Sequence, residues 1–191
     1  MLKDIVISKV RVKLLTVFFS DPKELYHVRG LVRKVGEEIN AVRRELAHLE
    51  AAGLLKKEPR GNRLYYWVNP NYPLYREFSA IIAKESGLGG QIIKNRNRIG
   101  RINFCVFSEK FVKKAPRREE EVDILVVGEI VMAELAALIK EEEKNRGKEI
   151  NYTVMTDEEF AFRKKRRDPF LLEILSHGKV MVIGSEEELL E

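Results

Sequence analysis

Apolar residues in the first 90 positions recur mostly at the three- and four-residue spacing of amphipathic helices. Glycines separate the resulting segments: Gly36 lies between two predicted helices, Gly53 ends the second, and Gly61-Asn62 joins two predicted strands. The predicted elements are a core helix over residues 5–19, an extended stretch over 24–28, helices over about 29–35 and 37–51, strands over 55–58 and 64–68, and a helix over about 72–86.

The second half of the chain alternates short apolar strands with amphipathic helices, which is typical of a small α/β domain. Thr156 with Glu159 three positions later predicts the start of a helix. The predicted elements are a basic helix over residues 92–99, strands over 102–107, 122–127, 149–156 and 179–183, a charged loop over 109–121, and helices over 130–145, 157–167 and 169–176.

The glycine cluster at residues 87–90 predicts a domain boundary. We therefore expect an α+β, two-domain protein, with a first domain over 1–86, a linker and connecting helix over 87–100, and a second domain over 101–191.

Composition excludes several classes of protein. No apolar run approaches the roughly 20 residues that span a bilayer, and the N-terminal segment lacks the features of a signal peptide. The single cysteine, Cys105, allows no internal disulfide and no paired-cysteine metal site, so we expect a cytoplasmic protein. One Gln, one Cys and 34% charged residues point to a thermophilic source.

Positive charge is concentrated in the first half. Residues 1–90 contain 16 Lys and Arg against 10 Asp and Glu, a net charge of +6, whereas residues 91–191 contain 19 against 20, a net charge of −1. Because phosphate neutralisation requires cations, this asymmetry predicts that the first half binds nucleic acid.

The predicted helix over 37–51 is the expected recognition helix, because Arg and Asn side chains can form paired hydrogen bonds with base edges in the major groove. The lone His48 cannot hold zinc, and we expect no metal site. The open alternative is that these are solvated surface charges. The candidate DNA-binding residues are Asn40, Arg43, Arg44 and His48 on the helix, Lys56 on the first strand, and Arg60 and Arg63 at the hairpin tip. Lys57 on the same strand and Arg33 and Lys34 on the preceding helix would add contacts to the DNA backbone.

Residues 42–55, the basic hairpin and the aromatic strand Tyr65-Tyr66-Trp67-Val68 together resemble the ArsR/MarR-type winged-helix regulators, over about residues 8–86. The resemblance implies double-stranded DNA as partner and a homodimer, with the helix over 72–86 at the interface. That helix could instead pack only within its own chain.

The second half resembles the minimal nucleotidyltransferases, and its combination with a winged helix resembles a regulator family of its own. The segments that match are 122–129, 148–156, 159–160, Arg163, 168–171, 174–175 and 180–184. In nucleotidyltransferases a Gly-Ser pair holds phosphates, and an Asp-x-Asp pair with a third carboxylate binds divalent metal ions.

This sequence departs from the nucleotidyltransferase pattern in each of these motifs, although it keeps the serine and the second aspartate. Phe107-Ser108 stands in place of Gly-Ser, and Glu121-Val122-Asp123 in place of Asp-x-Asp. Asn151 stands at the expected third carboxylate, and Glu149 could replace it only in another strand register. Ser108, Glu121 and Asp123 are therefore vestigial catalytic candidates.

Together these patterns favour a DNA-binding transcriptional regulator whose second domain is non-catalytic and serves assembly or the sensing of a nucleotide or another anion. The lysines and arginines at 110–118 and 163–167 could bind the phosphates of such a nucleotide. No cofactor is expected. The alternative is a metal-dependent nucleotidyltransferase that its winged helix docks to a target; it would require Mg²⁺. A third hypothesis is an assembly factor that uses the winged helix for protein contact.

Overall fold

The computed structural model describes residues 2–191, which fold into two compact units divided between Glu85 and Ser86. The residues expected to form a linker and connecting helix, 87–100, are two helices of the second unit. They belong there because Leu88, Ile92 and Ile99 are buried within it. An α+β fold is confirmed.

The first unit contains a three-stranded antiparallel sheet with strand order β1-β3-β2. Its elements are α1 (Leu2–Ile5), α2 (Lys9–Ser20), β1 (Tyr26–His27), α3 (Val28–Val35), α4 (Ile39–Ala51), β2 (Leu55–Arg60), β3 (Arg63–Val68) and α5 (Tyr75–Glu85).

The helix expected over residues 5–19 is α2, which begins only at Lys9; Ile5 belongs to the separate short helix α1. Ser8 sets this start, because its hydroxyl oxygen accepts the backbone N–H of Arg11 at 3.2 Å and caps α2. Ile5 and Ile7 consequently lie outside the core, with relative exposures of 80% and 101%. Helix α4 begins at Ile39, later than expected, because the Glu38 carboxylate accepts the N–H groups of Asn40 and Ala41.

The core of the first unit fixes the arrangement of α2, α3 and α4. Phe18, Leu31, Val42 and Leu46 come from these three helices and are completely buried. Between α3 and α4 the chain turns at Gly36, whose φ of 65° lies in the left-handed region that favours glycine. Helix α4 therefore presents one face to the core and the opposite face to solvent.

The second unit contains a mixed four-stranded sheet of order β6-β5-β4-β7, in which β5 and β6 are parallel and the other pairs antiparallel. Its elements are α6 (Gly87–Lys94), α7 (Arg96–Ile99), β4 (Gly100–Ser108), α8 (Glu109–Val112), β5 (Ile124–Ile130), α9 (Met132–Arg146), β6 (Tyr152–Met155), α10 (Asp157–Lys165), α11 (Pro169–Ser176), β7 (Lys179–Ile183) and α12 (Glu186–Leu190).

Strands β5 and β6 begin later than the apolar pattern predicts, so Glu121, Asp123 and Asn151 all precede them. The first turn of the charged loop is the short helix α8, and the acidic tail is the helix α12, which buries Leu189. The longest helix, α9, has 15 residues, and within residues 2–191 no helix has the length and apolar character needed to cross a membrane.

Candidate nucleic-acid interface and the cavity of the second unit

Helix α4 exposes the residues that the sequence predicts to contact DNA. Val42, Leu46 and Leu49 form its buried face, and the opposite side exposes Asn40, Arg43, Arg44 and His48. The amphipathic spacing therefore places the predicted contacts correctly on the solvent side.

A groove of about 650 Å³ lies between α3, α4 and the β2–β3 hairpin. Arg29 and Arg33 of α3, Arg43 of α4 and Arg63 of the hairpin line it. Within residues 2–191 none of these four arginines forms an ion pair with a carboxylate, whereas Arg11 elsewhere in the unit is paired with Glu45 at 2.7 Å. Four guanidinium groups without an ion-pair partner around one concave surface suit an anionic polymer.

The hairpin tip separates Arg60 from Arg63. The two residues are opposite each other across a two-residue turn, in which Gly61 has a φ of 58°. Arg60 pairs with Glu58 at 3.2 Å and lies 5.8 Å from the centre of the Tyr65 ring, so its charge is partly compensated. Arg63 is the tip arginine that lines the groove.

The two lysines of β2 also differ. Lys56 is exposed, and no carboxylate among the described residues pairs with it. Lys57 binds Glu50 at 3.0 Å, and this hydrogen bond raises the pKa of the lysine. Lys56 is thus the lysine available for an external anion.

Besides Val28, Leu64 and Tyr66, sequence reasoning missed three groove residues that can bind an anion or a base: His27, Arg29 and Asn62. His27 caps α3, since its Nδ1 atom accepts the backbone N–H of Gly30 at 3.1 Å. Arg29 could have been found, because it lies four residues before Arg33 and the two share a helix face. No local signal marks the other two.

In the second unit, the three vestigial candidates Ser108, Glu121 and Asp123 line one cavity of about 170 Å³. Phe107 does not fill it. This ring is buried on the other side of β4, edge-on to Phe111 with 5.1 Å between the ring centres. The cavity is therefore open beside Ser108, Glu121 and Asp123.

Glu121 is held by cations of the protein itself. Both of its carboxylate oxygens lie 2.7 Å from Nζ of Lys110, and Nε of Arg118 lies 3.0 Å from one of them. The Lys110 hydrogen bond, with those from Arg118, lowers the pKa of Glu121 to about 2. A metal ion bound to Glu121 would therefore have to compete with Lys110 and Arg118.

Asp123 is paired in the same way. It is only 5% exposed, and its Oδ2 atom accepts from Nε of Arg117 at 2.7 Å and from the backbone N–H of Asn151 at 3.0 Å. The guanidinium group of Arg117 also donates to the carbonyl of Glu149 at 3.4 Å. Glu149 therefore contributes its backbone carbonyl oxygen to the hydrogen bonds around Arg117 and Asp123.

Asn151 does lie beside Asp123, in the register that places Ile124 opposite Tyr152. Its Nδ2 atom donates to the carbonyl oxygens of Glu119 and Glu121, at 3.2 and 3.1 Å. These two hydrogen bonds hold the loop that precedes β5 in place. Within residues 2–191 no three His, Cys, Asp or Glu side chains are grouped to hold a metal ion.

Ser108 caps α8, since its hydroxyl oxygen accepts the N–H of Phe111 at 3.1 Å. The other basic cluster, residues 163–167, is also partly committed to the fold. Arg163 pairs with Glu159 at 2.9 Å, and the Arg166 guanidinium lies 4.6 Å from the Phe162 ring centre.

No protein-family model, curated protein or solved structure matches this chain.

Proposed function

We propose that the protein is a DNA-binding transcriptional regulator that acts as a homodimer, with a winged-helix first unit and a non-catalytic, nucleotidyltransferase-like second unit. The observation that carries this proposal is the groove lined by Arg29, Arg33, Arg43 and Arg63, none of which pairs with a carboxylate within the described residues. Two helices joined by a tight turn and followed by a basic hairpin have the order of a winged helix.

Roles within the interface follow from position. Arg43 and Arg44 lie on the exposed face of α4 and are suited to guanine edges, and Asn40 to an adenine edge. Arg63 at the hairpin tip is suited to phosphates or to the adjacent minor groove. His48, Lys56 and Arg60 would add contacts at the margins.

Salt-dependent binding to duplex DNA tests the proposal. Fluorescence anisotropy with a labelled mixed-sequence duplex should show affinity that falls steeply as salt rises. Replacing Arg43 or Arg63 with Ala should weaken binding, and each lost phosphate contact should reduce the slope of log K against log salt by about 0.9. The Arg43→Ala/Arg44→Ala double variant should show no shift in a gel assay at moderate salt.

Lys9→Ala is the matched control, since it removes one exposed positive charge that does not line the groove. Its affinity should stay within about twofold of the parent. Equal losses in Lys9→Ala and Arg63→Ala would mean that only net charge matters. Absence of any salt-sensitive binding to DNA would favour an assembly factor instead.

Exposed apolar side chains support the homodimer. Ile5 and Ile7 next to α2, and Leu74 and Ile81 at α5, are 42% to 101% exposed, and α2 packs against α5. Sedimentation should give a dimer, and Ile81→Glu should shift it toward monomer. A parent chain that sediments as a monomer would contradict this part of the proposal.

A metal-dependent nucleotidyltransferase remains the second candidate, because Ser108, Glu121 and Asp123 line the same cavity. The ion pairs with Lys110 and Arg117 oppose it, since a Mg²⁺ ion would have to displace both cations. Incubation with labelled nucleoside triphosphates and Mg²⁺ or Mn²⁺ should give no transfer. Label incorporation that a folded Asp123→Asn variant lacks would establish the enzyme.

A further inference from the structure

The cavity of the second unit has mainly apolar walls. Val106 and Leu125 of the sheet, 2% and 1% exposed, form one side, and Phe170 and Ile174 of α11 form another. Phosphate sites in proteins are built mainly from backbone N–H groups and free cations. These walls instead suit the body of a small organic molecule.

Charges around the cavity do not favour an anion. Its lining includes five carboxylates and only three cationic side chains, with His177 counted as neutral. All three cations have carboxylate partners: Lys110 with Glu121 and Arg117 with Asp123 at 2.7 Å, and Lys179 with Glu186 at 2.9 Å. An entering phosphate would have to compete with these carboxylates for the three cations.

The carboxylate of Asp123 has one oxygen atom that can accept a hydrogen bond from a ligand. Oδ2 of Asp123 accepts two hydrogen bonds, but Oδ1 accepts none from the described residues. No fully buried side-chain nitrogen or oxygen in the described part of the chain lacks a partner, so Oδ1 must reach open space, and Asp123 lines the cavity. Because Arg117 neutralises the carboxylate, an uncharged N–H or O–H donor is sufficient to complete its hydrogen bonding.

From these observations we infer that the cavity binds a small, uncharged molecule with an apolar body and a hydrogen-bond donor directed at Asp123, and that it excludes nucleotides. Val106, Leu125, Phe170 and Ile174 contact the body. The sequence alone suggested a nucleotide or another anion for this domain. The inference concerns the second unit alone and holds whether or not the first unit binds DNA.

Two molecules of nearly the same shape test this choice: benzamide, an uncharged donor, and benzoate, an anion. In a ¹⁵N-¹H correlation titration of the full chain, benzamide should shift the amide signals of Ser108, Lys110 and Gly178. A molecule of this size should give a dissociation constant on the order of 1–10 mM. Benzoate should bind at least about tenfold more weakly, and ATP should leave these signals in place.

Phe170→Ala removes a wall that is 39% exposed, so the variant should fold, as its spectrum will show, and lose benzamide binding. Phe162→Ala is the matched control, because that ring is 57% exposed on α10 and does not line the cavity. The inference is overturned if benzamide gives no localised shifts, if benzoate or ATP binds as well as benzamide, or if Phe170→Ala binds benzamide like the parent.

Discussion

Replacing Asp123 with Ala should destabilise the second unit strongly, because this carboxylate neutralises a nearly buried cation. The side chains of Asp123 and Arg117 are 6% and 12% exposed, and 2.7 Å separates Oδ2 from Nε. Removing one partner of a buried ion pair costs about 3–5 kcal/mol. Arg117 keeps hydrogen bonds to the carbonyls of Arg118, Glu119 and Glu149, so we expect the lower end, about 3 kcal/mol.

A double-mutant cycle separates this pairing from simple loss of packing. Arg117→Ala leaves the Asp123 carboxylate without its cation and should lower the free energy of unfolding by a similar amount. The double variant, in contrast, leaves no unpaired charge. Its loss should fall short of the sum of the single losses by about 2 kcal/mol. Glu141→Ala is the control, an exposed carboxylate on α9 whose loss should change the free energy of unfolding by less than about 0.5 kcal/mol.

Two single residues allow each unit to be followed separately. The only cysteine, Cys105, is completely buried in the second unit, so its modification in urea reports the opening of that unit. The only tryptophan, Trp67, lies on β3 and reports the first unit. A loss of 3 kcal/mol should lower the midpoint of Cys105 modification by about 2 M urea. A shift below about 0.3 M, or additive losses in the cycle, would refute the proposed ion pair.

Three further predictions concern the same unit. The pKa of Glu121, lowered from 4.5 to about 2 mainly by Lys110, implies stabilisation that is complete above about pH 5 and lost as the pH falls toward 2. The difference in urea midpoint between the parent and Glu121→Gln should therefore shrink over that range, and a constant difference would contradict the assignment. Gly128→Ala should destabilise the unit by several kcal/mol in urea unfolding, on the order of 3 or more, because φ is 143° and a Cβ atom would overlap the carbonyl oxygen of Arg101; a change under about 1 kcal/mol would contradict it. Burial raises the pKa of Cys105 to about 12, so iodoacetamide at pH 8 should modify it only through unfolding; rapid native-state reaction would show otherwise.

Local patterns predicted most of the elements, because their causes lie within a few residues. Alternating and helical spacing located the strands and helices of both halves, and Gly61-Asn62 forms the predicted turn of the first hairpin. The Thr156 hydroxyl oxygen accepts the N–H of Glu159, as the capping pattern predicted. The prediction was wrong where a short polar side chain competed with apolar spacing, as at Ser8, which caps α2 so that the helix begins at Lys9 and not at Ile5.

The sequence by itself determined an α+β chain with positive charge in its first half and the candidate residues Arg43 and Arg63, since these depend on composition and local spacing. The resemblance to nucleotidyltransferases added Ser108 and Asp123 as candidates. Only the tertiary structure decided which charged side chains remain available to bind a partner. Arg29 and Arg63 are 34 positions apart and line one groove only because α3 folds beside the hairpin.

The same holds for the second unit. Loop 109–121 brings Arg117 to Asp123, and α8 brings Lys110 to Glu121, so both carboxylates form ion pairs with cations of the same chain. The two-residue spacing of Glu121 and Asp123 could predict that their carboxylates lie on the same side of an extended chain. Only the folded chain shows which cation each one holds, because ion pairing depends on distances that loop closure sets.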